Sequence, residues 1–114
     1  FYVCPLCGNI LVSTSPASIF CCGRKLTALI PKKMKGHSLD VQVMDIDYYI
    51  SFDHEMRKSH YISFVAYVFD NKVLLNRLYP EQISAVRFPI MSGSSKLYAY
   101  CNHHGLWEQS ILEK

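Results

Sequence analysis

Four of the five cysteines lie within the first 22 residues, and this clustering constrains the fold more than any other feature. They form two pairs, Cys4 with Cys7 and Cys21 with Cys22, and each pair is followed by a glycine. Adjacent cysteines rarely bridge each other, because a vicinal disulfide is strained. Inside a cell, thiols bind metals more often than they form disulfides. The pattern predicts a tetrahedral four-thiolate site for iron or zinc, with disulfide pairing as the alternative.

The beginning of the chain is predicted to be a metal-held module. Residues 1–30 contain too few apolar side chains to fold unaided, and segments of this size usually need a metal, a disulfide or a partner. The basic stretch at 31–36 ends in glycine and is predicted to be a linker. Residues 37–114 then form a second domain.

Positive charge is concentrated between Arg24 and Gly36, where five bases occur without an acid. Such a cluster could steer a small anion or contact nucleic acid, but short charge runs are more often solvated surface. The stretch has no interleaved aromatic residues and no recognition helix. Nucleic-acid binding is therefore disfavoured.

The second domain has the pattern of β-strands almost throughout. Leu39, Val41 and Val43 alternate with polar neighbours, which is typical of a half-buried strand. Aromatic and β-branched residues favour further strands at 48–52, 61–69, 72–79, 85–90 and 96–101. Six or seven short strands with turn signals predict a mainly β protein with an antiparallel β-sandwich. The strand at 61–69 is apolar on both faces, so it is central or at an interface.

The composition gives expectations about location. No apolar run approaches the ~18 residues needed to cross a bilayer, and no secretory leader is recognisable. We therefore expect a cytoplasmic protein without membrane contact. The sequence begins at Phe1 and not at methionine, which leaves open whether the native chain extends upstream.

A second set of ligand-type residues follows the cysteine-rich segment. Cys101 and His104 are three residues apart in a predicted loop, so one turn could present sulfur and nitrogen to one ion. His37, His54 and His60 lie where predicted strands begin or end. A lone histidine is more often a surface or hydrogen-bonded residue than a ligand. The whole set, however, could converge at one end of the sandwich and predicts a second metal site.

These motifs resemble those of desulfoferrodoxin, the two-domain form of superoxide reductase, over nearly the whole chain. The desulforedoxin pattern Cys-x-x-Cys-Gly-Asn-Ile with Cys-Cys-Gly is present at 4–10 and 21–23. The family's His-x-Met-x-x-x-His-Tyr-Ile is present at 54–62, and its Cys-Asn-x-His-Gly-Leu-Trp at 101–107. The resemblance implies a desulforedoxin-like module followed by an immunoglobulin-like sandwich.

The resemblance also implies two metal ions. A rubredoxin-like iron, or a zinc, would be held by Cys4, Cys7, Cys21 and Cys22. A second iron would take four equatorial nitrogens and one axial thiolate, from His37, His54, His60, His104 and Cys101. His103 competes with His104 for this role, and the motif assigns ligation to His104.

The implied activity is that of an enzyme, the one-electron reduction of superoxide to hydrogen peroxide at a ferrous His4Cys centre. An external donor such as rubredoxin would supply the electron, and we expect a homodimer. The Glu-Lys pair that usually precedes the first histidine reads Lys35-Gly36 here. Lys35 or Lys58 would then have to supply the cation that attracts superoxide.

This departure also supports an alternative from a different class of function. The chain would then be a non-catalytic metal-binding module, which either senses iron or superoxide for an attached regulatory domain or uses a zinc-filled four-cysteine site only for folding.

Overall fold

The structure, a computed structural model, describes residues 1–15, 17–33, 39–52, 56–69, 72–91 and 94–111. The chain divides into two compact units, Phe1–Ile30 and Pro31–Lys114. Regular structure in the described residues consists of β-strands alone. The prediction of a mainly β protein is confirmed. None of the described residues forms a helix with the length and apolar character that crossing a bilayer requires.

The first unit consists of two short antiparallel ribbons. Strand β1 (Tyr2–Val3) pairs with β2 (Ile10–Leu11), and β3 (Phe20–Cys21) pairs with β4 (Arg24–Lys25). The buried core of this unit is small and contains Tyr2, Cys4 and Leu26. Three buried residues provide little hydrophobic stabilisation, as expected for a unit that depends on a metal.

The second unit contains two sheets. Strands β6 (Asp40–Met44), β7 (Asp47–Ser51) and β10 (Ala85–Pro89) form an antiparallel sheet in the order β10-β7-β6. The larger sheet contains β5 (Lys32–Lys33), β8 (Ile62–Phe69), β9 (Lys72–Arg77), β11 (Ser95–Cys101) and β12 (Gly105–Ile111). Its order is β5-β12-β11-β8-β9, and only the β5–β12 pair is parallel.

The two sheets pack face to face around one core. Tyr67 of β8 contacts Phe88 of β10 edge to face, with ring centroids 5.5 Å apart, and contacts Tyr48 of β7 at 6.1 Å. Ile50 of β7 and Val65 of β8 are completely buried in the same cluster. This arrangement confirms the predicted antiparallel β-sandwich after a small N-terminal module. The apolar strand β8 is central, since it lies between β11 and β9.

Two elements differ from the sequence prediction. Lys32–Lys33, assigned to the linker at 31–36, forms β5 and pairs with Trp107 and Glu108 of β12. A strand of two residues is too short to show alternation, so the prediction of a linker followed from the basic residues and the final glycine. The sequence pattern predicts no strand after residue 101, yet Gly105–Ile111 forms β12. The successive buried residues Leu106 and Trp107 interrupt the alternation that would have indicated a strand.

The sequence Asp70-Asn71 between two predicted strands favours a hairpin, and β8 and β9 do pair antiparallel, with Phe69 opposite Lys72. The two turn residues themselves lie outside the described part of the chain.

Candidate metal centres

The four cysteines of the first unit converge on one point. Their sulfur atoms lie within 4.8 Å of one another, and the Cys7 and Cys21 sulfurs are 3.5 Å apart. All four are free thiols, so the structure does not support the disulfide alternative. A tetrahedral ion with ~2.3 Å bonds to sulfur needs sulfur pairs about 3.8 Å apart. The donor set therefore fits iron or zinc, and both metals accept four thiolates.

Two tight turns bring these sulfurs together. In the first, the amide of Gly8 donates to the carbonyl of Cys4, and the amide of Cys4 donates to the carbonyl of Asn9, both at 2.9 Å. In the second, Cys22 and Gly23 connect β3 to β4 with φ values of +52° and +75°. Positive φ at both central residues is what a type I′ hairpin turn requires. Cys22 is held in a left-handed conformation that costs a non-glycine residue roughly 1–2 kcal/mol.

The thiols of this cluster differ in acidity. A hydrogen bond from the backbone amide of Cys7 lowers the pKa of Cys4 to about 6. Contact with the sulfurs of Cys7 and Cys4 raises the pKa of Cys22 to about 12 and also raises the pKa of Cys21. Not all four thiols can therefore ionise together without a cation. Metal binding at this cluster must release protons and will weaken in acid.

In the second unit, the described residues bring together three of the five predicted ligands. Nδ1 of His104 lies 3.4 Å from Nε2 of His60 and 3.5 Å from Sγ of Cys101. Neighbouring nitrogens on an ion with ~2.1 Å bonds are about 3 Å apart. The three donor atoms thus fit adjacent positions around one metal ion. The other two predicted ligands, His37 and His54, lie outside the described residues.

The β11–β12 hairpin explains why Cys101 and His104 meet. Cys101 pairs with Gly105 across the hairpin, so three residues form the loop. Gly105 has a φ of +89°, which L side chains rarely adopt, and this turns the chain back so that His104 lies near the Cys101 sulfur. Cys101 is fully buried, and its sulfur accepts a hydrogen bond from the amide of His103 at 3.4 Å.

Asn102 connects this loop to the segment that carries His60. Its Oδ1 accepts from the amide of Tyr61, and its Nδ2 donates to the carbonyl of Ser59, both at 3.0 Å. One side chain therefore holds the residues on both sides of His60. Sequence reasoning missed this role, although the asparagine of the Cys-Asn-x-His motif was the available signal. Nε2 of His103 also contacts the carbonyl of Ser59, whereas Nδ1 of His104 faces Cys101 and His60.

The structure places one unexpected cation beside this centre. Nζ of Lys32 donates to the carbonyl of His104 at 3.1 Å, because β5 lies next to β12. Sequence reasoning missed Lys32, since nothing in a short basic run indicates which lysine contacts a distant loop. Of the two lysines that were predicted, Lys58 lies in the exposed turn before His60, and Lys35 lies outside the described residues.

The family model and the most similar curated proteins point to the same family. The sequence model of the family described as desulfoferrodoxin matches residues 29–110. A desulfoferrodoxin homolog of Archaeoglobus fulgidus is 31% identical, with 94% of this chain and 93% of that protein covered. A desulfoferrodoxin of Syntrophotalea carbinolica is 27% identical, with 93% and 91% covered.

Solved structures share the fold. The superoxide reductase from Treponema pallidum has a TM-score of 0.81 at 22% identity and covers 95% of this chain and 94% of its own. A 1Fe superoxide reductase from Giardia intestinalis has a TM-score of 0.58 at 19% identity and covers 68% of this chain and 97% of its own.

Proposed function

The chain belongs to the desulfoferrodoxin family. We propose that it is a non-haem iron superoxide reductase. In the proposed reaction, superoxide takes one electron and two protons and becomes hydrogen peroxide. The observation that carries the proposal is the convergence of His60, Cys101 and His104, whose donor atoms surround one point at the end of the larger sheet.

The proposed ligand set has five members. His37 and His54 would join the three described residues, so that four imidazoles and the Cys101 thiolate hold one iron. A bound ferrous ion would supply the single electron, and the thiolate of Cys101 would donate electron density to it. Iron or zinc would occupy the cluster of Cys4, Cys7, Cys21 and Cys22.

The residues around Cys101 support the role of an axial thiolate. Full burial keeps water away from the sulfur, and the amide of His103 donates to it. This hydrogen bond fixes the position of the sulfur, which lies 3.5 Å from Nδ1 of His104.

Lys32 is proposed as a cation that favours the approach of anionic superoxide. Its hydrogen bond to the carbonyl of His104 keeps a positive charge beside the ligand loop, and fixed charges near a site raise the local concentration of the opposite charge. Lys35 and Lys58 stay in the proposal as additional cations.

Partners and location form part of the same proposal. A reductase needs an external one-electron donor, such as rubredoxin, to restore the ferrous state. The exposed apolar side chains of Val43, on the edge strand β6, and of Ile46, in the turn after it, would suit a homodimer. A cytoplasmic location is supported by five cysteines that are all free thiols.

The test is to mix the anaerobic iron-loaded protein, in its reduced form, with a pulse of superoxide. We expect rapid oxidation of the iron and release of hydrogen peroxide. In Cys101→Ser, we expect loss of the thiolate-to-iron absorption band and of superoxide reduction. The spectrum of the four-cysteine site in the same protein serves as the internal control and should persist.

Two outcomes would count against the proposal. If Cys101→Ser retains both the band and the rate, Cys101 is not the axial ligand. If superoxide leaves the wild-type iron reduced, the chain is not a reductase, and the metal-binding or sensing module becomes the better reading.

A further inference from the structure

One loop of the second unit contains a strained residue outside both sets of metal ligands. Residues 78–84 join β9 to β10, and Glu81 in this loop has a φ of +68°. A residue other than glycine rarely adopts this left-handed conformation, because it brings Cβ close to a carbonyl oxygen. Glu81 is exposed, so packing of its side chain does not impose the conformation. Strain of this kind clusters at functional sites, where the surrounding structure maintains it.

The loop contains a turn of a defined type. In the turn from Tyr79 to Gln82, the amide of Gln82 donates to the carbonyl of Tyr79 at 3.3 Å. Pro80 occupies the second position of the turn and Glu81 the third. Proline at the second position and a positive φ at the third are the features of a type II turn. The side chain of Gln82 closes the turn further, since its Oε1 accepts from the amide of Tyr79 at 2.6 Å.

The left-handed conformation directs one backbone amide towards a segment that carries a ligand. The amide of Glu81 donates to the carbonyl of Met56. The next residue, Arg57, forms two backbone hydrogen bonds with His60 across a tight turn, at 3.0 and 3.1 Å. Glu81 is therefore linked to His60 by hydrogen bonds and one peptide bond.

We propose that Glu81 is a positioning residue for His60, and that its left-handed conformation sets the geometry of the second metal centre. The inference rests on the proposed function, because it takes His60 as a metal ligand. Type I and type II turns hold their central peptide in opposite orientations. A negative φ at residue 81 would therefore turn its amide away from the carbonyl of Met56. The segment before His60 would then lose one of its attachments.

Other contacts hold the same segment in the sandwich. The side chain of Met56 packs against the core. The amide of Phe52 donates to the carbonyl of Ser84 at 3.1 Å, so the loop contacts the chain before His60 at a second point. Neither contact involves the amide of Glu81. Loss of that amide is therefore expected to shift the backbone next to His60 while the sandwich stays folded.

The test compares two substitutions that both remove the carboxylate of Glu81. Glu81→Gly allows a positive φ without strain, so it should retain the turn. Glu81→Val strongly disfavours a positive φ, because valine is β-branched, so it should reverse the central peptide. We expect Glu81→Val to lower zinc affinity at the second centre about 10-fold, and Glu81→Gly to keep it within about twofold.

Two measurements on the full chain follow the effect. Competition with a chelator of known affinity gives the zinc affinity of each centre, and that of the four-cysteine site should stay the same in every variant. The imidazole nitrogen-15 shifts of His60 in the zinc-loaded protein show how its ring is bound. We expect these shifts to change in Glu81→Val, which a loss of stability alone would not cause.

Asp45 provides the matched control. Among the described residues of the second unit, it is the other non-glycine residue with a positive φ, at +57°. It lies in the turn between β6 and β7, where the carbonyl of Ile46 accepts from the amide of Ile90. Asp45→Val therefore introduces the same kind of strain into the same unit, away from His60. We expect it to lower the denaturant midpoint and to leave zinc affinity unchanged.

Three results would overturn the proposal. Equal affinity in Glu81→Val and Glu81→Gly would show that the left-handed conformation does not position His60. Equal losses of affinity in Glu81→Val and Asp45→Val would reduce the effect to the stability of the unit. A His60 ring that zinc leaves unshifted in the unmodified protein would remove the ligand that Glu81 is proposed to position. None of these results involves superoxide, so failure here is distinguishable from failure of the proposed function.

Discussion

Asn102 shows how much of the second centre depends on a residue that binds no metal. Its amide holds the carbonyl of Ser59 and the amide of Tyr61, and so fixes the backbone on both sides of His60. Residues that orient ligands in this way are usually needed for full metal affinity.

We predict that Asn102→Leu, which has a similar volume and no hydrogen-bonding group, lowers metal affinity at the His60 centre about 10- to 100-fold. Affinity at the four-cysteine site should not change. Competition with a chelator of known affinity measures both. Gln42→Leu is the control, because the amide of Gln42 donates to Asp40 in its own strand. Unchanged affinity in Asn102→Leu would show that His60 is positioned by other contacts.

The sequence identifies the residues that carry the donor atoms, but not the residues that hold those ligands in place. Cysteine and histidine at motif spacing predict which residues converge, and the described ones, such as Cys101 and His104, do lie together. Lys32 and Ser59 could not be predicted, because their roles depend on which distant segments become neighbours. Their contacts are made through backbone carbonyls, which carry no sequence signature.

At the scale of elements, each centre depends on a hairpin turn with a glycine at positive φ. Gly23 ends the β3–β4 turn at +75°, and Gly105 ends the β11–β12 turn at +89°. A Cβ on Gly23 would meet no atom within 4 Å, and one on Gly105 would meet only Nζ of Lys32 at 3.9 Å. Substitution by alanine therefore tests backbone conformation and not packing.

We predict that Gly105→Ala destabilises the second unit by about 1–3 kcal/mol and weakens metal binding at the His60 centre only. Gly23→Ala is its matched partner and should weaken the four-cysteine site only. Denaturant unfolding of the metal-loaded proteins gives the stability, and chelator competition gives the affinities. If Gly105→Ala loses stability but keeps its affinity, the turn is not what holds Cys101 beside His104.

Most of the long strands were predictable, whereas the seven-residue strand β12 and the short strands were not. Strands β7 to β11 alternate or are rich in β-branched and aromatic residues, and they appear close to the predicted ranges. Strand β5 was assigned to a linker, because two residues cannot express a period. Its place in the sheet follows from pairing with Trp107, a tertiary contact that local sequence does not encode.

At the scale of the whole molecule, the two units depend on different forces. The core of the second unit draws residues from both sheets, including the fully buried Ile50, Val65 and Leu97. Burial of that apolar area stabilises a fold without help from a metal. Among the described residues of the first unit, the buried core consists of Tyr2, Cys4 and Leu26, so a bound ion would have to supply the stabilisation that hydrophobic burial does not.

We predict that removing the metals with a strong chelator unfolds the first unit and leaves the sandwich folded. Structural zinc contributes about 10–16 kcal/mol in small metal-held peptides, far more than three buried side chains can supply. Amide hydrogen exchange on the full chain would show protection lost in residues 1–30 and kept in β8 and β11. Protection that persists at Tyr2 and Leu26 would contradict this account.

The left-handed conformation of Cys22 has a further consequence for how this segment tolerates insertions and deletions. Two adjacent cysteines are chemically identical, and only the turn determines that Cys21 ends a strand while Cys22 occupies the turn. A shift of one residue would move one cysteine into the position of the other and direct both sulfurs elsewhere. The number of residues in the turn therefore selects the ligand geometry, and a change in its length would remove the site even if all four cysteines were retained.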